Sequence, residues 1–300
     1  MCKKELARRW FLKGCRYDST GSERDKAIDA YRRSLKYDDE LTDAYVNLGF
    51  IYLAGTDYEK AAKCFQDVVG LEPKNPEAFN NLGYVYEEMK RLGCARQAYR
   101  QASGLDPKNV ETMLNLAKVY ELEGNYHDAV KQYKRAIKQD ADNIAPRFCL
   151  AVLYDNYDMF DEAMEEYQGV LDRDPDHIKG LLNMGNLYVQ LGNNERAIDL
   201  FKRVIALDPD NADACNQLGS VHKSDGNYAE ASASYKRVLS LDPFKEDAHM
   251  ELAEAQYLQY RSKFNGVKKE EVRQRIDYLL AINPDNGKGK QLLKELIEGD

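Results

Sequence analysis

A short motif, Leu-Gly-x-x-Tyr or a close variant of it, recurs every 34 residues through most of this 300-residue chain. The copies begin at Leu48, Leu82, Leu116, Leu150, Met184 and Leu218. Three further series keep the same spacing: a small residue from Ala61 onwards, an aromatic residue from Phe65 onwards and a proline from Pro73 onwards, with Ala141 in place of one proline. A fixed period of this length predicts a stack of similar units, each packed on its neighbours, in place of one globular core.

Each unit has the pattern of two helices joined by a turn. In residues 42–54, Ala44, Leu48 and Ile51 recur at helical spacing, and a second apolar series starts at Ala61. A Leu-Asp-Pro sequence ends the second helix, because proline cannot continue a helix. The small residues Gly49 and Ala61 predict a point where the paired helices pass closely. Glycine after the first helix predicts a left-handed cap at Gly55, Gly124, Gly192 and Gly226.

The combination of Leu-Gly-x-x-Tyr, alanine, an aromatic residue and proline in a 34-residue unit resembles the tetratricopeptide repeat (TPR) family. The resemblance implies an all-α fold, a right-handed α-solenoid superhelix of helix-turn-helix repeats with a C-terminal capping helix. We expect one domain over residues 1–300 and a cap over 287–298. The expected repeats are 7–41, 42–75, 76–109, 110–143, 144–177, 178–211, 212–245 and 246–286. The last repeat contains a seven-residue insertion near 261–268.

In this family the residue before the Leu-Gly step faces a concave groove that receives a protein or peptide partner. Asparagine at that position can donate to and accept from a peptide backbone of any sequence. The resemblance therefore implies groove contacts from Asn47, Asn81, Asn115 and Asn183, although asparagine is also common there in ordinary members. The lysine that co-chaperone members use to grip a C-terminal carboxylate is missing from the preceding positions, which hold residues such as Val46 and Asn80.

Acidic residues also fall on positions that the family places in the groove. Asp43, Glu77 and Glu111 stand near helix starts, where a favourable interaction with the helix dipole is an alternative explanation. That explanation does not apply further along the same helices, to Glu87, Glu88, Glu121 and Asp155. Together these acids predict a groove with negative potential that attracts a basic, extended or helical partner segment.

The charge of the chain is unevenly distributed. The net charge is −8 overall, but residues 1–36 carry +6, residues 37–260 carry −16 and residues 261–300 carry +2. Basic side chains share one side of the first helix; they are Arg8, Arg9, Lys13 and Arg16. Three interpretations stay open for them: a solvated cap, a site for an anionic partner, or a contact with the acidic middle of another copy. The last makes the chain a self-assembling architectural protein and a possible homo-oligomer; an accessory subunit of a larger complex has the same sequence pattern.

The insertion, with Arg261, Lys263, Lys268 and Lys269, is equally open to a binding role or a simple loop. No cluster of histidine, cysteine or carboxylate residues has the spacing of a catalytic or metal site, so we expect no enzyme, no cofactor and no metal. The acidic total argues against nucleic acid as a partner. No apolar run is long enough to span a membrane, and six dispersed cysteines predict a cytoplasmic protein. Lipid attachment near Cys2 is a less favoured alternative.

Overall fold

The computed structural model describes residues 2–19, 21, 23–262 and 267–298. These residues form seventeen α-helices and no strand. The helices are α1 (Lys3–Ser19), α2 (Arg24–Tyr37), α3 (Thr42–Ala54), α4 (Tyr58–Leu71), α5 (Pro76–Glu88), α6 (Leu92–Leu105), α7 (Val110–Leu122), α8 (Tyr126–Gln139), α9 (Ile144–Asn156), α10 (Phe160–Leu171), α11 (Ile178–Gln190), α12 (Asn194–Leu207), α13 (Ala212–Ser224), α14 (Tyr228–Leu241), α15 (Glu246–Arg261), α16 (Lys269–Ile282) and α17 (Gly287–Glu298). The prediction of an all-α fold is confirmed. Within the insertion, residues 263–266, and with them Lys263, lie outside the described residues.

The chain divides into two compact units, Met1–Leu150 and Ala151–Asp300, with the division inside α9. In the first unit, each odd-numbered helix packs on the even-numbered helix that follows, and each pair packs on the next pair. The second unit repeats this arrangement from α11 onwards, and α17 packs on both α15 and α16. We call the odd-numbered helices of each unit its first helices and the even-numbered ones its second helices. The expectation of one continuous domain over 1–300 stays a prediction.

The glycine of the Leu-Gly step lies directly under the aromatic ring of the second helix. A β-carbon added at Gly83 would lie 2.7 Å from the Tyr99 ring, and one at Gly185 would lie 2.6 Å from the Phe201 ring. Both rings are completely buried. The structure thus confirms that a small residue is required where the paired helices pass each other.

The turns after the first helices follow the sequence prediction in some repeats and depart from it in one. Gly124, Gly192 and Gly226 have positive φ angles, as expected. Gly55 does not: its φ is −96°, and Thr56 takes the left-handed conformation instead. The left-handed conformation recurs every 34 residues, at Thr56, Lys90, Gly124, Asp158, Gly192 and Gly226, and Gly55 stands one residue before that position. The Arg24 guanidinium of α2 donates to the Ile51 carbonyl at 2.7 Å and caps α3. A β-carbon at Gly55 would overlap that guanidinium, which is the movable end of a long side chain.

Candidate functional site

The first helices of the Met1–Leu150 unit enclose a cleft of about 300 Å³. It lies between α3, α5 and α7. Val46 and Phe50 of α3 contribute apolar surface to its lining. The Phe50 side chain is 46% exposed, and its ring packs in an edge arrangement with the buried Phe65 ring, the ring centres being 5.4 Å apart. Its polar lining comes from the starts of α5 and α7, chiefly Glu77, Asn80, Asn81, Glu111 and Thr112. We call this region the first-helix cleft.

Asn80 is the centre of a hydrogen-bond network in the first-helix cleft. Its side-chain oxygen accepts from the Thr112 hydroxyl at 3.3 Å and from the Asn115 amide at 3.2 Å. Its own amide donates to Glu111 at 3.4 Å. These contacts fix Asn80 between α5 and α7. Asn81, by contrast, is half-buried in the lining, and no side-chain hydrogen bond to another described residue occupies its amide.

The four predicted groove asparagines therefore have different environments. Asn81 lines the cleft with its amide available, and the Asn115 amide donates to the side-chain oxygen of Asn80. Asn47 donates to the Tyr31 hydroxyl at 3.1 Å. In the other unit, Asn183 donates to the Tyr167 hydroxyl at 3.2 Å. Two of these amides are thus engaged with tyrosines of their own unit.

Glu87, predicted as a groove charge, is almost fully buried at 4% exposure. Its carboxylate accepts from the Tyr99 hydroxyl at 3.3 Å and pairs with the Lys118 ammonium at 2.5 Å. Burial, followed by the nearby Glu87 charge, raises the pKa of Tyr99 and keeps its hydroxyl a donor. Glu87 consequently adds little uncompensated negative charge to the first-helix face.

Glu121 and Asp155 have the same role in their own repeats. The Tyr133 hydroxyl donates to Glu121 at 3.2 Å. Tyr167 donates to Asp155, although burial outweighs this bond and raises the pKa of the Asp155 carboxyl above its usual value. Both tyrosine rings are buried. An acid on the first helix thus satisfies a tyrosine hydroxyl that the second helix buries.

The sequence contains a signal for this arrangement in the spacing between the acid and the tyrosine. Each of the three acids precedes its tyrosine by 12 residues, and where phenylalanine replaces the tyrosine the residue 12 positions earlier is aliphatic. The pairs are Glu87–Tyr99, Glu121–Tyr133, Asp155–Tyr167, Leu53–Phe65 and Val189–Phe201. A buried ring without a hydroxyl needs no acceptor. The Tyr235 repeat uses a different solution, because its hydroxyl donates to Glu251 at 3.1 Å and Lys223 pairs with the same carboxylate.

The remaining predicted acids are better placed to meet a partner. Asp43, Glu77 and Glu111 are all exposed, and the last two line the first-helix cleft. Glu88 is half-buried and accepts from the Tyr58 hydroxyl at 3.4 Å. Two of the three exposed acids, Glu77 and Glu111, therefore belong to the lining of the first-helix cleft.

The predicted basic patch lies on α1 with every member exposed; its members are Arg8, Arg9, Lys13 and Arg16. The Lys13 ammonium stands 4.9 Å from the centre of the Trp10 ring, and the Arg33 guanidinium stands 4.7 Å from it. The Lys13 contact lies within α1, and the Arg33 contact joins α2 to α1 at Trp10.

Over the described ranges, no group of three or more His, Cys, Asp or Glu side chains is placed to hold a metal ion. In the same part of the chain, no helix is both long enough and apolar enough to cross a membrane. The absence of catalysis and a cytoplasmic location stay predictions.

Comparisons with known proteins agree with the fold. Models described as TPR repeat or tetratricopeptide repeat match residues 51–90, 87–146, 122–184, 185–226 and 212–245. Together these matches run without a gap from residue 51 to residue 245. The chain belongs to the tetratricopeptide repeat family, as its 34-residue motif indicates. A comparison with curated proteins gives no significant match.

Solved structures of TPR proteins resemble this chain in fold. One is the C-terminal part of a TPR repeat-containing protein from Cytophaga hutchinsonii, with 16% identity and a TM-score of 0.71 over 82% of this chain and 98% of that one. A tetratricopeptide repeat protein from Parabacteroides merdae has 17% identity and a TM-score of 0.59 over 86% and 99%. YrrB, described as a TPR protein with an unusual peptide-binding site, has 21% identity and a TM-score of 0.50 over 62% and 96%.

Proposed function

We propose that this chain is a protein-interaction module whose first-helix cleft binds an extended or helical segment of a partner protein. The observation that carries the proposal is the cleft itself, which combines a half-exposed aromatic ring at Phe50 with an available amide at Asn81. A concave, partly apolar site with a few placed polar groups is typical of ligand recognition.

The lining specifies the chemistry of the segment. An apolar side chain of the partner would pack on Val46 and Phe50, removing exposed apolar surface from water. The Asn81 amide would pair with the backbone of the segment, since it offers both donor and acceptor. Glu77 and Glu111 would attract lysine or arginine beside the apolar residue. We therefore narrow the predicted basic partner to a segment with an apolar anchor next to basic residues.

The family relationship supports this function, because a TPR protein of similar fold, YrrB, is described as having a peptide-binding site. That description concerns YrrB. For this chain, the support comes from the residues that line the first-helix cleft.

Selection from a library of random displayed peptides against the whole chain tests the proposal. We expect enriched peptides to carry an aromatic or large aliphatic residue adjacent to lysine or arginine. Isothermal titration of one selected peptide should then show at least about tenfold weaker binding to a Phe50→Ala/Asn81→Ala variant, equivalent to about 1.4 kcal/mol.

The matched control is Phe244→Ala, which removes another exposed aromatic ring, 81% accessible, from the other unit. It should leave the affinity unchanged. If wild type and the cleft variant bind the peptide equally, and circular dichroism shows that both are folded, the first-helix cleft is not the binding site.

A second candidate is self-assembly through the exposed basic side of α1. It predicts sedimenting oligomers at low salt that dissociate as salt screens the charges. A monomer at every ionic strength would exclude it and would leave the first-helix cleft untouched.

A further inference from the structure

The second helices α6 and α8 are basic, in contrast to the acidic chain as a whole. Helix α6 carries Arg96 and Arg100 and no carboxylate. Helix α8 carries four basic residues, Lys131, Lys134, Arg135 and Lys138, against the single carboxylate of Asp128. The net charge of the chain is −8. This concentration of positive charge lies on helices other than those that line the first-helix cleft.

Several of these side chains line a groove. A cleft of about 490 Å³ lies between α6 and α8, and its lining includes Arg100, Lys131 and Arg135. Leu116 and Tyr120 of α7 and the carboxylate of Asp128 also line it. A second cleft of about 460 Å³ continues along α6 past Arg96, Gln97 and Gln101, and the two share Arg100. We call the joined clefts the second-helix groove.

The positive charges of the second-helix groove outnumber its one lining carboxylate, that of Asp128. The Arg135 guanidinium donates to the neutral Gln132 amide at 2.9 Å, which orients it without neutralising it. Neither Arg100 nor Lys131 has an ion pair with a described carboxylate, and both are exposed. Arg96 is the exception, since it pairs with Glu123 at 3.2 Å.

Helix α4, a second helix of the same unit, shows the contrasting arrangement. Lys60 pairs with Asp57, and Lys63 pairs with Asp67 at 2.7 Å. Charge pairing within one helix is thus available in this fold. In the second-helix groove, by contrast, Arg100, Lys131 and Arg135 have no ion pair with a described carboxylate.

We propose that the second-helix groove binds an Asp- or Glu-rich peptide segment. Guanidinium groups pair with carboxylates through parallel hydrogen bonds, and the amides of Gln97 and Gln101 can pair with a peptide backbone. From Gly93 to Gly104, helix α6 extends about 16 Å, which matches about five residues of extended chain. A short acidic segment fits that length, whereas a long polyanion such as nucleic acid would extend beyond the groove over a chain of net charge −8.

Fluorescence polarisation of a labelled hexapeptide of alternating Asp and Glu, titrated with the whole chain, tests this assignment. Binding should weaken between about 50 mM and about 200 mM salt. A hexapeptide of alternating Asn and Gln should not bind. The variant Arg100→Gln/Arg135→Gln should bind the acidic peptide at least about tenfold more weakly.

The matched control is Lys36→Gln/Lys74→Gln, which removes the same charge from exposed positions outside the groove and should bind within about twofold of wild type. An equal loss in both variants would show that net charge alone drives binding and would overturn the proposal. Wild-type affinity in the groove variant would overturn it too, as would tighter, groove-dependent binding of a single-stranded oligonucleotide. The exposed positions allow both variants to fold, which circular dichroism checks. Failure here does not affect the first-helix cleft, which uses none of these residues.

Discussion

The pairing of buried tyrosines with acids on the preceding helix makes a quantitative prediction at Tyr99 and Glu87. The Tyr99 side chain is completely buried, so Glu87→Leu leaves its hydroxyl without an acceptor. A buried donor without a partner costs about 1–3 kcal/mol, and we expect a loss of about 2 kcal/mol in the free energy of unfolding. Tyr99→Phe removes the donor but leaves Glu87 paired with Lys118, so the loss should be about 1 kcal/mol.

The double variant Glu87→Leu/Tyr99→Phe has neither the donor nor the acceptor, which is the natural arrangement at Leu53 and Phe65. We expect it to be about as stable as Tyr99→Phe alone, giving a coupling free energy of about 2 kcal/mol. Urea unfolding followed by circular dichroism measures all four proteins. Because repeats unfold as coupled units, the four curves are fitted with one nearest-neighbour scheme.

The converse change provides the control. Phe201→Tyr places a hydroxyl opposite Val189, where no acid stands 12 residues earlier, and should destabilise the protein by about 1–3 kcal/mol. Adding Val189→Glu should recover part of that loss. Additive effects at Tyr99 and Glu87, within about 0.5 kcal/mol, would refute the role assigned to the acid.

Two other predictions concern packing and pH. Gly83→Ala places a methyl group 2.7 Å from the Tyr99 ring and should destabilise the protein by about 1–3 kcal/mol in urea unfolding. Gly104→Ala, in α6 with open space around it, should instead stabilise by up to about 1 kcal/mol; equal effects of the two substitutions would contradict the close approach at Gly83. Because burial raises the folded-state pKa of Asp155, its ionisation destabilises the fold as pH rises from the ordinary value of 3.8 through the folded value. Asp155→Asn, which still accepts from Tyr167, should therefore raise the thermal midpoint at pH 7 and lose that advantage near pH 3; an advantage independent of pH would exclude this linkage.

Most of the fold could be predicted from the sequence because the repeat imposes the same packing problem in every unit. A small residue at the Leu-Gly step, either glycine or alanine, and in most repeats a proline after the second helix are local requirements, and they recur at one period. The left-handed turn residue also recurs at this period, but glycine does not always mark it. Thr56, Lys90 and Asp158 take the conformation that glycine takes in other repeats, and Gly55 stands one residue before it.

The candidate site was less predictable, because position in a repeat does not determine whether a polar group is available. Glu87 and Glu77 both occupy positions that face the groove in the family. One is buried against a tyrosine hydroxyl and an ammonium, and the other is exposed at the mouth of the cleft. The second-helix groove was not predicted either. Arg100 and Arg135 belong to different repeats, and their proximity depends on how α6 and α8 pack around α7.

Photo-crosslinking most directly tests the claim that a partner segment binds at the first helices. A benzophenone side chain introduced at Tyr84, one turn beyond Asn80 and 42% exposed, is irradiated with a selected peptide bound. The matched probe stands at Arg100, on the second-helix side of the same unit. We predict a crosslinked product from position 84 and none from position 100. Crosslinking from position 100 alone, or equally from both, would contradict binding in the first-helix cleft.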